Sequence, residues 1–176
     1  MFSKQQSSEY QYNRIVGFFQ DDNDTAKKIR YQQENSLLAI GSGGLTGKGL
    51  YNNTVTSVKN GKLLSESHTD FIFTIVGEEL GFVGAAAVIL LLFMIVLECF
   101  ITGSRAPTFS GKLFCFGFGV LTAIQSFVNI AVATFLLPNT GVTLPFVSYG
   151  LTSLLSMYIG VGIVLNIGLQ RTKARV

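Results

Sequence analysis

The sequence predicts an all-α integral membrane protein, with three transmembrane helices preceded by a large extracytoplasmic loop segment. Two observations carry that expectation. Of the 176 residues, 48% are hydrophobic and only 13% charged, against about 25% charged in a soluble domain. The charges are also segregated, most falling before residue 80 or after residue 170. A net charge of +3, with no basic patch interleaved with aromatics, argues for no nucleic acid as a partner.

Residues 1–70 are polar and read as the extracytoplasmic segment. MFSKQQSSEYQYNRIVGFF at the start has no apolar core long enough for a signal peptide. Asp24-Thr25-Ala26 can open a short helix, with Ile29, Gln33, Leu37 and Ile40 at helical spacing and glycines from Gly41 ending it. GSGGLTGKGLYNNT follows, rich in turn formers and without period. It fails as a phosphate-binding loop: the spacing is one residue short, no Ser or Thr follows Lys48, and no apolar strand precedes it. The expectation is a glycine-rich loop lying on the membrane, with Lys48 meeting lipid phosphate.

Three segments, 71–101, 112–137 and 146–170, reach the roughly 20 apolar residues that a bilayer crossing needs. Pro138 and Pro145 bracket the connection 138–145, where proline suits a helix break. Val142 and Leu144 imply that this loop tucks against protein or headgroups. Arg105 and Lys112 flank the first turn, and Arg171, Lys173 and Arg175 lie in the tail 171–176. By the positive-inside rule both sets are cytoplasmic, so 138–145 and everything before Phe71 are outside. An odd number of spans without a signal implies the C-terminal part of a larger protein. Cys99 and Cys115 lie in or beside apolar runs and read as two buried thiols packing as small hydrophobes.

SESHTDFIFTIVGEELGFVG, residues 65–84, carries His68, Asp70, Glu78 and Glu79 into apolar surroundings. The run from Asp70 to Ile101 would be about 46 Å long as one helix, too long for a single crossing, so its start belongs at the outer interface or the helix tilts. On that helix Glu78 lies about 80° round from Asp70 and about 12 Å along the axis. That is too far for the paired carboxylates of a retaining glycosidase, which stand about 5 Å apart. A single acid is the design. The structural alternatives are Asp70 as a helix N-cap, Glu78 or Glu79 snorkelling or paired with an arginine of another span, and His68 as an interfacial residue. Gly77, Gly81 and Gly84 have the spacing of a close helix contact. Gln125 and Asn129 form a polar pair on the second span, as interhelical hydrogen bonding would use.

Three stretches together, AIGSGGLTGKGL, HTDFIFTIVGEELGFVG and LLPNTGVTLPFVSYGLTS, resemble the SEDS proteins (shape, elongation, division and sporulation), the RodA, FtsW and SpoVE group. The resemblance runs from about Tyr12 to Gln170. It implies a multi-pass protein of the bacterial inner membrane with about ten spans, of which these would be the last three. It also implies polymerisation of peptidoglycan glycan strands from lipid II, beside a class B penicillin-binding protein, with membrane lipids around it. Asp70 matches the family's essential acid. His68, Lys48, Glu78 and Ser148 are the candidates for lining the substrate site. Three positions depart from the family pattern: many relatives read SYGGSS where Ser148-Tyr149-Gly150-Leu151-Thr152-Ser153 stands, and Thr140 and Lys62 replace a lysine and a glutamate.

The chemistry implied is attack of a sugar hydroxyl on an anomeric carbon carrying undecaprenyl pyrophosphate. That leaving group departs without protonation once its charge is screened, so one carboxylate acting as general base suffices. No cofactor is specified; a divalent cation would serve the departing charge. The alternatives are a transporter that flips lipid-linked precursors, and an inactive truncated fragment.

Overall fold

The computed structural model describes residues 24–50 and 70–173. It contains four helices, α1 (Asp24–Ser42), α2 (Ile72–Arg105), α3 (Phe109–Ala133) and α4 (Leu151–Lys173), and no strand among the described residues. Stretches of α2, α3 and α4 are long and apolar enough to cross a membrane. Their outward faces are apolar, with Phe82, Leu90, Leu91, Phe93, Phe127, Leu155 and Leu165 all exposed. In water such a surface would be untenable. In lipid, where helices satisfy their own backbone, it is what a span requires, and the chain is a membrane protein.

The ends of the spans differ from those predicted, each for a local reason. α2 continues to Arg105, beyond the predicted 101, through the poor helix formers Thr102, Gly103 and Ser104. It stops because Pro107 drives Ala106 to an extended conformation (φ −63°, ψ 139°). α3 begins at Phe109 rather than 112, because the Thr108 hydroxyl caps it by accepting the Gly111 N–H at 3.2 Å.

α3 ends at Ala133, four residues before the predicted 137, in a Schellman turn. Leu136 N–H donates to Ala131 C=O (2.8 Å) and Phe135 N–H to Val132 C=O (3.2 Å), with Phe135 at φ 60°. Glycine usually fills that left-handed position; a phenylalanine there gives the sequence no stop signal.

The connection after α3 is correspondingly longer than 138–145. Asn139 Oδ1 accepts the Gly141 N–H at 3.0 Å, and Ser148 Oγ accepts the Leu144 N–H at 2.8 Å. Phe146 sits at φ 63°. This folded loop holds the chain out of helix until Leu151, beyond the predicted 146. Leu144 is fully buried, so the loop tucks against protein.

α2 and α3 are antiparallel and close. A Cβ at Gly103 would lie 3.0 Å from Cys115 Cβ, and one at Gly119 would lie 3.1 Å from Cys99 Cβ. Each cysteine thus faces a glycine of the other helix, and both thiols are free and buried. Cys99, Cys115 and Phe118 form one core with Met157 and Val164 of α4. A second core joins Phe73, Ala85 and Leu92 of α2 to Ala133 and Leu144. α4 approaches α3 at Gly160, where a Cβ would lie 2.1 Å from the Phe118 ring. Gly160→Val is therefore expected to destabilise the bundle by about 1–3 kcal/mol, read as a lower thermal unfolding midpoint in detergent; an unchanged midpoint would refute this packing.

Candidate active site

α2 is not one continuous helix. At Gly81 the backbone takes φ 67°, ψ −164°, a conformation essentially confined to glycine. In an unbroken helix the N–H groups of Phe82 and Val83 would donate to the carbonyls of Glu78 and Glu79. Here the glycine-rich segment after α1 inserts between them. Phe82 N–H donates to Gly44 C=O (2.9 Å) and Val83 N–H to Leu45 C=O (3.2 Å). In return Lys48 N–H donates to Glu78 C=O (3.0 Å) and Gly49 N–H to Glu79 C=O (3.1 Å). Two helical bonds are replaced by four, and each of the four groups that made them has a new partner.

The insertion explains the glycines. A Cβ on Gly43 would lie 2.0 Å from Gly77 O, one on Gly47 2.1 Å from Glu79 O, and one on Gly81 2.3 Å from Gly47 N. Backbone meets backbone at each point, and nothing larger than hydrogen fits. The expectation of a loop lying flat on the membrane is thus corrected. Of the three glycines spaced for a close helix contact, Gly77 makes one with Ile40 of α1, Gly81 meets Leu45 and Gly47 instead, and the side chain nearest Gly84 is Leu80 of its own helix.

Lys48 and Glu78 are brought together by the same crossing. Lys48 Nζ lies 2.9 Å from Glu78 Oε1; the glutamate side chain is 2% exposed and the lysine 26%. The acid expected to pair with an arginine of another span finds its partner within this chain, and the lysine expected at lipid phosphate is committed to that acid. The pair stands where the first half of α2 ends, and a cation is favoured there by the carbonyl ends of the helix. Glu79, next along, is partly exposed.

Asp70 lies at the other end of that half-helix. The N-cap is Phe71, with no side-chain capping bond, so Asp70 is not the cap that sequence allowed. Its anchoring comes through the main chain: Asn129 Nδ2 donates to the Asp70 carbonyl at 2.9 Å and to the Val142 carbonyl at 2.6 Å. Phe71 is buried with Ala39 and Val132, while Asp70 keeps partial exposure. Asn129, read from the sequence as a partner of Gln125 in holding spans together, instead ties Asp70 to the loop after α3.

α1 closes the site from one side. Gln33 Nε2 donates to Leu137 C=O (2.9 Å) and Val132 C=O (3.3 Å), and Ser36 Oγ to Ala133 C=O (2.8 Å). Ser36 also hydrogen-bonds Thr74 on the half-helix. The buried stripe of α1 is therefore Gln33, Ser36 and Ala39, whereas Leu37, expected inward, is exposed. A helix docking on the carbonyl end of another needs donors on its buried face, which defeats a search for apolar periodicity.

Of the remaining candidates, Ser148 is 1% exposed and serves the loop by accepting the Leu144 N–H; the sequence suggested a substrate contact instead. His68 lies outside the described residues. Asp70 is thus the partly exposed acid at the end of the bundle formed by α1 and the loop 134–150, while Glu78 is buried and paired.

The family model described as cell cycle protein, FTSW_RODA_SPOVE, matches residues 2–173. A protein of Idiomarina loihiensis named "Probable peptidoglycan glycosyltransferase FtsW" is 40% identical over 166 residues, 92% of this chain and 39% of that protein. A solved chain described under "Structural coordination of polymerization and crosslinking by a peptidoglycan synthase complex" matches at TM-score 0.67 and 29% identity, over 92% of this chain and 42% of that one. The crystal structure of an Asp-to-Ala mutant of the rod shape determining protein RodA from Thermus thermophilus matches at TM-score 0.58 and 34% identity, over 77% of this chain and 40% of that one. The chain thus spans about two-fifths of the length of these relatives.

The buried pair gives a specific expectation. Lys48→Met leaves the Glu78 carboxylate buried without its cation and should cost about 3–5 kcal/mol, while Lys48→Met with Glu78→Gln should recover much of that loss. Thermal unfolding of the two single variants and the double variant checks it, and additive losses would refute the pairing.

Proposed function

This chain belongs to the FtsW–RodA–SpoVE cell cycle protein family, and from that premise we propose that it carries the general base for polymerising peptidoglycan glycan strands from lipid II. The observation that carries the reading is the partly exposed carboxylate of Asp70, held through its backbone at the end of the bundle formed by α1 and the loop 134–150. In the proposed step the Asp70 carboxylate takes the proton of the acceptor sugar's hydroxyl. That oxygen forms the new glycosidic bond to the donor's anomeric carbon, and the bond from that carbon to undecaprenyl pyrophosphate breaks. The pyrophosphate leaves as a stabilised anion and needs no acid. Among the described residues no group of three or more His, Cys, Asp or Glu side chains could cage a metal. A divalent cation screening the leaving group would be held in part by the pyrophosphate oxygens, as magnesium commonly is.

The direction of the reaction follows from charge. Arg105 and Lys112 flank the α2–α3 turn, and Arg171, Lys173 and Arg175 lie in the tail, which supports a cytoplasmic position for that end and a position for the Asp70 end outside the bacterial inner membrane. Lipid II displayed on the outer leaflet would meet Asp70 at headgroup depth. A class B penicillin-binding protein, cross-linking the strands made here, is the proposed partner, in line with the peptidoglycan synthase complex that this chain resembles. Glu78 and Lys48 hold the site rather than touch substrate.

A precursor flippase is the second reading, since broken helices mark many transporters. The break at Gly81 is filled by residues 44–49, which counts against a substrate path there. Labelled lipid II given to the natural gene product carrying residues 1–176 decides between the readings. Polymer ladders support the enzyme, movement between leaflets without polymer supports the transporter, and neither supports an inactive fragment. Asp70→Ala is expected to lower polymer yield by at least about 100-fold with membrane insertion intact, and wild-type yield from that variant would remove Asp70 from the chemistry.

A further inference from the structure

We infer that Asn129 is a positioning residue for this reaction, acting on Asp70 through the main chain; the inference rests on the reading of Asp70 as the base. Asn129 is 1% exposed on α3, on the helix face that also buries Thr122 and Ser126. A buried primary amide is costly unless its hydrogens are bonded. Here its two recorded bonds run from one nitrogen to two carbonyls, those of Asp70 and Val142. The two residues are 59 and 13 positions from it in sequence. The amide is planar and its N–H directions diverge at a set angle, so it fixes the two carbonyls relative to each other as well as to α3. Asp70 is thereby held in register with the loop that follows α3.

Two further observations separate this from ordinary span packing. Asp70 stands just outside a helix whose N-cap, Phe71, offers no side-chain bond, and the Asn129 amide reaches the chain at that point from another helix. Asn129 Oδ1 is itself buried and finds no donor among the described residues. A buried acceptor without a partner destabilises, so selection for stability alone would not favour an asparagine here. A bridge that sets the place of a reacting carboxylate gives that residue type a reason, because a misplacement of about 1 Å can reduce a rate about 100-fold.

The test compares the wild-type gene product with Asn129→Ala, Asn129→Ser and Asp70→Ala, using labelled lipid II and the thermal midpoint of each protein in detergent. Folded Asn129→Ala is expected to lose about 10-fold or more in kcat while KM for lipid II stays within about twofold. Asn129→Ser, which keeps one hydroxyl donor, should fall between it and the wild type. A merely structural role would lower the amount of folded enzyme and leave kcat per folded molecule unchanged. Wild-type kcat in folded Asn129→Ala, or a change confined to KM, overturns the proposal. If Asn129→Ala does not fold, Asn129→Ser carries the same comparison; failure of both to fold assigns Asn129 to the fold alone and also overturns it. Activity in Asp70→Ala removes the functional reading itself, a result distinct from loss of the Asn129 proposal with Asp70→Ala inactive.

Discussion

A helix interrupted among apolar surroundings must have its loosened amide hydrogens and carbonyls bonded from elsewhere, and the rest of this site follows from how that is achieved. Each such group left bare would cost about 1–3 kcal/mol. The segment 44–49 supplies four such partners, two carbonyls for Phe82 and Val83 and two amide hydrogens for Glu78 and Glu79. Main chain can reach main chain only where no side chain intervenes, hence glycine at 43, 47 and 81. The ion pair is a consequence of the same crossing. Once the Lys48 amide is bonded to the Glu78 carbonyl, the two side chains leave neighbouring backbone positions, and 2.9 Å between them is within easy reach.

The break also frees the first half of α2 from the direction of the transmembrane half. Residues 82–105 form about 36 Å of helix at 1.5 Å per residue, enough for the hydrocarbon core of about 30 Å. Residues 72–80 are a separate strut that presents Asp70. It is pinned at its far end by the glycine segment, in its middle by the Ser36–Thr74 hydrogen bond, and at its start by Asn129. Three anchors from three parts of the chain hold one short helix. They grip the backbone and Thr74, and the residue at the N-cap is Phe71 rather than Asp70.

The same arrangement accounts for the polar face of α1. The Schellman turn at Phe135 leaves carbonyls at the end of α3 facing sideways, and Gln33 and Ser36 bond to them. Left-handed conformations at Phe135 and Phe146 are each disfavoured by roughly 1–2 kcal/mol for a residue with a side chain. Burial of Leu144 and the hydrogen bonds of Ser148 and Asn139 offset that cost and shape the loop against which Asn129 sets Asp70.

Sequence alone determined the all-helical class and the three apolar segments that become the span-capable helices among the described residues, and it supplied Asp70 as the proposed reacting acid. These depend on apolar length, on charge placement and on prolines such as Pro138 and Pro145, all legible along the chain itself. It also identified the glycine-rich stretch as something other than a phosphate loop. Only the tertiary structure decided where that stretch goes, which cation faces Glu78, which face of α1 is buried and what Asn129 binds. Each of these is a bond between a side chain or backbone group and a carbonyl, amide or charge at least ten residues away. Composition and periodicity register burial against apolar neighbours; they carry no trace of burial against another segment's backbone, where the residues chosen are polar or have no side chain at all.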